Sequence, residues 1–176
     1  MPGVSGAAGR ENTSSRMTTT QAIARALERI PYGLYVVGSL RDGNPVTMIA
    51  NWVTQVSFHP PCVAIAVENS SKMRRYIESS NFFCVNILPA GATGTAKAFL
   101  KSPEAVHTTI AGKEFSRGKN GTPFLHEASA SIECRVRAAL PSGDHMLFVG
   151  EVVDAAAGGK TDEVLTLRET GWKYTK

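Results

Sequence analysis

Apolar positions along the chain change period several times, and each change marks an element. Ile23, Ala26, Leu27 and Ile30 recur at i, i+3, i+4 and i+7, the spacing of one helix face. Thr18-Thr-Thr-Gln21 places a capping box in front of them, and Pro31 ends the run. Tyr32 to Leu40 is rich in Tyr and Val. The turn Arg41-Asp-Gly-Asn44 and the stretch Val46 to Trp52 follow it, so a β-hairpin is predicted. After Pro60-Pro61, the unbroken apolar run Cys62 to Val67 predicts a strand covered on both faces. Ser71 to Ser79 reads as a short helix with Met73, Tyr76 and Ile77 on one side. Phe82 to Leu88 is a second central strand, in which Asn86 is expected to satisfy neighbouring backbone. Thr93 to Leu100 predicts another short helix.

Residues 101–127 show no period and read as an irregular surface loop, with a possible lid role. Ile132, Cys134, Val136 and Ala138 then alternate with Glu133, Arg135 and Arg137, the pattern of a half-exposed strand. Pro141-Ser-Gly-Asp144 turns the chain, and His145 to Asp154 runs back. Val164 to Leu167 and Trp172 to Tyr174 give only weak signals. The sum is roughly six strands and three short helices, dominated by hairpins. That predicts a mainly β fold, a closed antiparallel barrel, because a small barrel removes its own edges. Residues 1–17 are small and polar and are expected to form a disordered tail, with Met17 a candidate start. Residues 18–176 then form one domain.

Composition narrows the function. The chain has 176 residues, enough for one domain with a true core. No apolar run reaches the roughly 20 residues of a membrane-spanning helix. Three widely spaced cysteines, Cys62, Cys84 and Cys134, have apolar neighbours and read as free thiols in a reducing, cytoplasmic setting. The four histidines lack metal-ligand spacing, so no metal site is expected and hard chemistry falls to an organic cofactor. The net charge of +4 is spread along the chain, without the basic stripe or stacking aromatics of nucleic-acid binding. Dinucleotide and phosphate-loop glycine motifs and a nucleophile elbow are absent.

Three places carry candidate chemistry. Asn51-Trp-Val-Thr-Gln-Val-Ser57 brings four short hydrogen-bonding side chains, Asn51, Thr54, Gln55 and Ser57, into seven residues, with Trp52 and Val53 as an apolar wall. It suits the polar edge of a planar heterocycle and a ribityl chain, and suits an ordinary solvated loop as well. Ser70-Ser71-Lys72 opens a helix, where Ser71 and Lys72 serve either as a phosphate cradle or as a plain cap. His145, at the tip of a predicted hairpin, either meets a polar ligand or is simply exposed.

Four segments together carry a resemblance. Ile30-Pro-Tyr-Gly-Leu-Tyr-Val-Val37, Asn51 to Pro61, Phe82 to Leu88, and Gly143-Asp-His-Met-Leu-Phe-Val-Gly-Glu-Val152 resemble the flavin reductase-like family in the right order. The similarity is greatest to its flavoredoxin-like branch and to flavin reductase modules fused to diiron flavoproteins, and it covers about residues 20–174. The resemblance implies an antiparallel, Greek-key-like split β-barrel that binds FMN as a homodimer, with each flavin near the subunit interface. It implies flavin contacts for Asn51, Trp52, Val53, Thr54, Gln55 and Ser57, a phosphate role for Ser71 and Lys72, and a catalytic, nicotinamide-side role for His145. Many relatives carry Ser after the Asn, where this chain has Trp52. The implied activity is NAD(P)H-dependent reduction of FMN, with electrons passed to flavin or a redox protein. The alternatives are a non-catalytic FMN electron carrier and a barrel holding haem or another ligand, for which His59 is the one tempting axial ligand.

Overall fold

The computed structural model describes residues 18–158 and 161–173, so the expected tail over 1–17 lies outside the described residues. The chain divides into two units between Ile30 and Pro31. In the first, α1 (Thr19–Leu27) begins with the expected capping box: Thr18 accepts from the Gln21 backbone, and the Gln21 side chain reaches back to the Thr18 N–H.

The second unit holds β1 (Tyr35–Arg41), β2 (Asn44–Ala50), β3 (Val53–Phe58), β4 (Pro61–Glu68), α2 (Lys72–Ser80), β5 (Phe82–Ile87) and α3 (Thr93–Ala98). Four short strands follow: β6 (Ala105–Val106), β7 (Thr109–Ile110), β8 (Lys113–Arg117) and β9 (Pro123–Leu125). A long hairpin of β10 (Ala130–Ser142) and β11 (His145–Ala157), then α4 (Leu167–Thr170), complete it.

The main sheet is antiparallel and runs β2-β1-β5-β10-β11-β4-β3. Its two outermost strands, β2 and β3, are neighbours in sequence, joined only by Asn51 and Trp52. At 3.8 Å per Cα step, that link spans at most about 11 Å. The sheet therefore curls until its edges meet at Asn51–Trp52, yet no ladder joins β2 to β3. The result is the split barrel, with its seam at these two residues.

The barrel is filled from one face of each strand. Val37, Val46, Ala50, Ile65, Phe83, Val85, Cys134 and Phe148 meet there, with Met73 and Ile77 of α2 added from the helix. Val36, on the opposite face of β1, and Leu34, just before the strand, pack on Leu88, Phe99 of the α3 C-cap, Ile110 of β7 and Leu165.

Residues 101–127 are thus not an irregular loop. They form a second sheet, β6-β7-β8-β9, that covers this outer face. Its strands are two to five residues long, too short to show a period in sequence. Asn86 ties it down as expected: its amide donates to the Val36 and Pro123 carbonyls and accepts from Leu125 N and Ser131 Oγ. A Cβ on Gly38 would lie 2.6 Å from Pro123 Cγ, so only glycine permits this approach. Glu133, expected on a solvated face, is fully buried because residues 118–122 cover it. Pro141 and Ser142 belong to β10, so the turn is the pair Gly143-Asp144 alone.

Candidate functional site

The seam consists of Asn51 and Trp52, between the end of β2 and the start of β3. Asn51 is only 8% exposed, and its Nδ2 finds no hydrogen-bond partner among the described residues. A buried amide donor left unpaired is costly, so it marks a place where a partner belongs. Asn51 lines a cavity of about 460 Å³ together with Leu34, Met48, Ile49, Leu100 and Trp172. That volume lies within the range of small-molecule sites.

Trp52 starts a row of rings. Its centroid is 4.5 Å from that of His145 at 43°, and 6.5 Å from that of Tyr32 at 45°. His145 is not an exposed tip residue. It opens β11, opposite Glu68 of β4, and is 4% exposed. Its Nδ1 lies 2.6 Å from Asp144 Oδ1, which fixes the ring against rotation. Asn69 holds the turn itself, donating its backbone N–H to Asp144 O and its side-chain amide to Gly143 O, while its Oδ1 accepts from Arg74 Nη1.

Residues 53–57 are not a loop but part of edge strand β3, paired on one side only, with β4. An extra residue, Val56, sits between the Gln55–Val63 and Ser57–Cys62 pairs. This bulge breaks the alternation that would have revealed a strand in sequence. Val53 is half-buried and packs against the barrel core. Thr54 and Gln55 are exposed and bond locally, Thr54 Oγ1 to Gln55 O and Gln55 Nε2 to Ser57 O. Ser57 is half-buried.

At the start of α2, Ser71 is the N-cap, accepting from Met73 N at 3.2 Å. Its hydroxyl also lies 3.9 Å from Met48 Sδ, which ties the cap to the cavity wall. Lys72 is exposed at the first helical position. The structure thus joins Asn51, and Ser71 through Met48, to the cavity, and joins Trp52 to His145. Thr54, Gln55 and Lys72 line neither.

The cavity also takes in Ser102, Leu167, Trp172 and Lys173, which sequence reasoning missed. They come from segments without periodic pattern, and the Trp172–Tyr174 region gave too weak a signal to place. His59 stands exposed at the β3–β4 turn. Among the described residues no cluster of His, Cys, Asp and Glu could hold a metal ion, and no helix is long and apolar enough to cross a membrane.

A curled antiparallel sheet split at a ligand-sized cavity is the architecture of the flavin reductase barrels. The chain belongs to the family described as the flavin reductase like domain, whose model matches residues 27–174. It is 36% identical over 146 residues to a ferric-chelate reductase (NAD(P)H) of Archaeoglobus fulgidus, covering 80% of this chain and 84% of that one. A putative diflavin flavoprotein of Nostoc sp. is 34% identical over 131 residues, 74% of this chain. The chain spans about a quarter (23%) of that relative's length. Among solved structures, the NADH:FAD oxidoreductase SgcE6 of Streptomyces globisporus has a TM-score of 0.69 at 28% identity, covering 89% of each chain. SgcE6 is also known in complex with NAD and FAD fragments, with a TM-score of 0.67 at 29% identity over 77% of this chain and 81% of that one.

Proposed function

We propose that this chain is an NAD(P)H-dependent flavin reductase that uses FMN at the seam and passes electrons on to free flavin or to a redox protein. The observation that carries the reading is the buried, unpartnered Asn51 amide lining a ligand-sized cavity beside the Trp52–His145 contact. A flavin ring fits this chemistry, being apolar over most of its area with carbonyl and ring-nitrogen acceptors at one end. Family membership supports the reading, as do relatives named flavin reductase and ferric-chelate reductase (NAD(P)H).

When bound, flavin supplies the redox chemistry, accepting a hydride from the nicotinamide. The protein's part is orientation and exclusion of water. Asn51 would donate its unpaired Nδ2 to an acceptor on the ring. Trp52 gives an apolar surface, and Val53 supports it from the core. Thr54, Gln55 and Ser57, farther along β3, would hold the ribityl chain, and Ser71 with Lys72 would take the phosphate at the α2 start. His145, held by Asp144 and packed on Trp52, positions the nicotinamide.

The protein works in the cytoplasm, where its three buried cysteines stay reduced. It acts as a homodimer. The open edge of β3 supports this, because it leaves Phe58 77% and Val56 50% exposed, an apolar edge that a second copy would cover.

The test is steady-state oxidation of NADH and NADPH with excess FMN or FAD. Turnover with either nicotinamide, faster with FMN than with FAD, is expected. A protein that holds flavin but gives no turnover is a carrier and overturns the reductase reading.

A further inference from the structure

The cavity has a wall that neither the 51–57 segment nor α2 supplies. It comes from the C-terminal segment, which is laced to the barrel by main-chain bonds. Leu34 N donates to Leu165 O, Leu165 N to Leu88 O, and Leu167 N to Tyr32 O, all at 2.9 to 3.0 Å. Gly91 N donates to Glu169 Oε1 at 2.5 Å, anchoring α4 from its other side. Gly171, at φ 69°, ends α4 with a left-handed turn, and Trp172 N then donates to Thr170 Oγ1. This turn sets Trp172 and Lys173 against the cavity.

The polar side chains of the lining are the Asn51 amide, the Ser102 hydroxyl and the Lys173 ammonium, and no carboxyl group is among them. The Asn51 nitrogen is the buried, unpartnered donor. The remaining side chains are apolar, with Trp172 the largest. Such a lining selects a flat apolar ring whose polar edge is rich in acceptors and draws negative charge.

We infer that Trp172 and Lys173 are flavin-binding residues, Trp172 closing on the apolar part of the ring and Lys173 favouring its acceptor-bearing edge. The inference rests on the flavin reading above and adds residues that lie more than a hundred positions from Asn51.

The experiment titrates the full chain with FMN and with lumiflavin, the ring alone, and reads affinity from the flavin absorption change. Trp172→Ala is expected to weaken both ligands about tenfold or more, since the contact is with the ring. Trp172→Phe keeps an aromatic wall and should recover most of the loss, which separates contact from folding. Lys173→Gln, at an exposed position, should weaken both ligands several-fold at low salt, with the difference from wild type shrinking as salt rises. Wild-type affinity for FMN in all three variants overturns the inference while leaving the flavin reading intact. Loss of FMN with lumiflavin affinity unchanged places the contact on the ribityl phosphate and also overturns it. A wild-type chain that takes up neither FMN nor FAD overturns the flavin reading itself.

Discussion

Asn51 buries an amide nitrogen that is hydrogen-bonded to nothing among the described residues, at a cost to the folded state. A residue kept at such a cost is expected to repay it on binding. Asn51→Ala should therefore leave the melting temperature equal or higher, while FMN affinity falls by about 1 to 3 kcal/mol, roughly 5- to 150-fold in Kd. A thermal melt paired with a flavin titration checks this, and unchanged affinity removes Asn51 from the site. Thr54, exposed and bonded to its own strand, should matter less. His145→Ala should raise the KM for NAD(P)H more than it changes FMN affinity, because His145 packs on Trp52 and is not among the residues lining the Asn51 cavity. An equal loss of FMN would make it a support for the flavin instead. At this scale the sequence marked the stretch in which the structure sets Asn51 against a cavity, since a dense polar cluster stands out between apolar runs. It could not show the burial of His145, which depends on Trp52 and on the β4 partner that only folding brings opposite.

Among the elements, the small β6–β9 sheet is held by its packing through Ile110, Phe115 and Leu125 and by polar anchors at the β8–β9 turn. Glu133 Oε1 accepts from Thr122 N and Oγ1, and Oε2 accepts from Asn120 N and Nδ2, all at 2.6 to 3.1 Å. Replacing Glu133 by Ala strips four donors of their partner and should cost on the order of 3 kcal/mol. A urea denaturation midpoint equal to that of the wild type would show that the anchor carries no weight. Strand alternation reads Glu133 as solvated because the rule assumes one open face. Here a later segment folds over that face, and nothing within β10 announces it. The edge strand β3 escaped notice for a related reason, its bulge at Val56 having broken the period. The central strands β4 and β5 and the helix α2, by contrast, were plain in sequence, because burial on both faces and a strong apolar stripe leave local marks.

For the whole molecule, the two-residue link between β2 and β3 decides where the edges of the curled sheet meet. The curl that brings the edges together also packs the three cysteines inside. Burial pushes the Cys84 and Cys134 thiols up to about 12, from the ordinary value of 9.0. Both should resist a thiol reagent in the native protein at pH 9 and react on unfolding; rapid native labelling would contradict their burial. Because their folded-state values are raised, the stability tied to these thiols is complete below pH 9 and is lost as pH rises from 9 towards 12. A urea midpoint followed from pH 7 upward should thus hold, then fall above 9. The mainly β class and the barrel were legible from hairpin density. The split came from the family resemblance and not from the chain's own pattern, since it depends on two strands adjacent in sequence lying at opposite ends of the sheet order without pairing.

The central claim, that a flavin sits at the seam and takes electrons from a nicotinamide, meets its most direct test in one anaerobic cuvette. The purified full chain is equilibrated with FMN, freed of unbound flavin, and given NADH or NADPH while the visible absorption is followed. The account predicts a yellow protein whose visible band bleaches with at least one nicotinamide. A colourless protein, or a yellow one whose band neither nicotinamide bleaches, would contradict it.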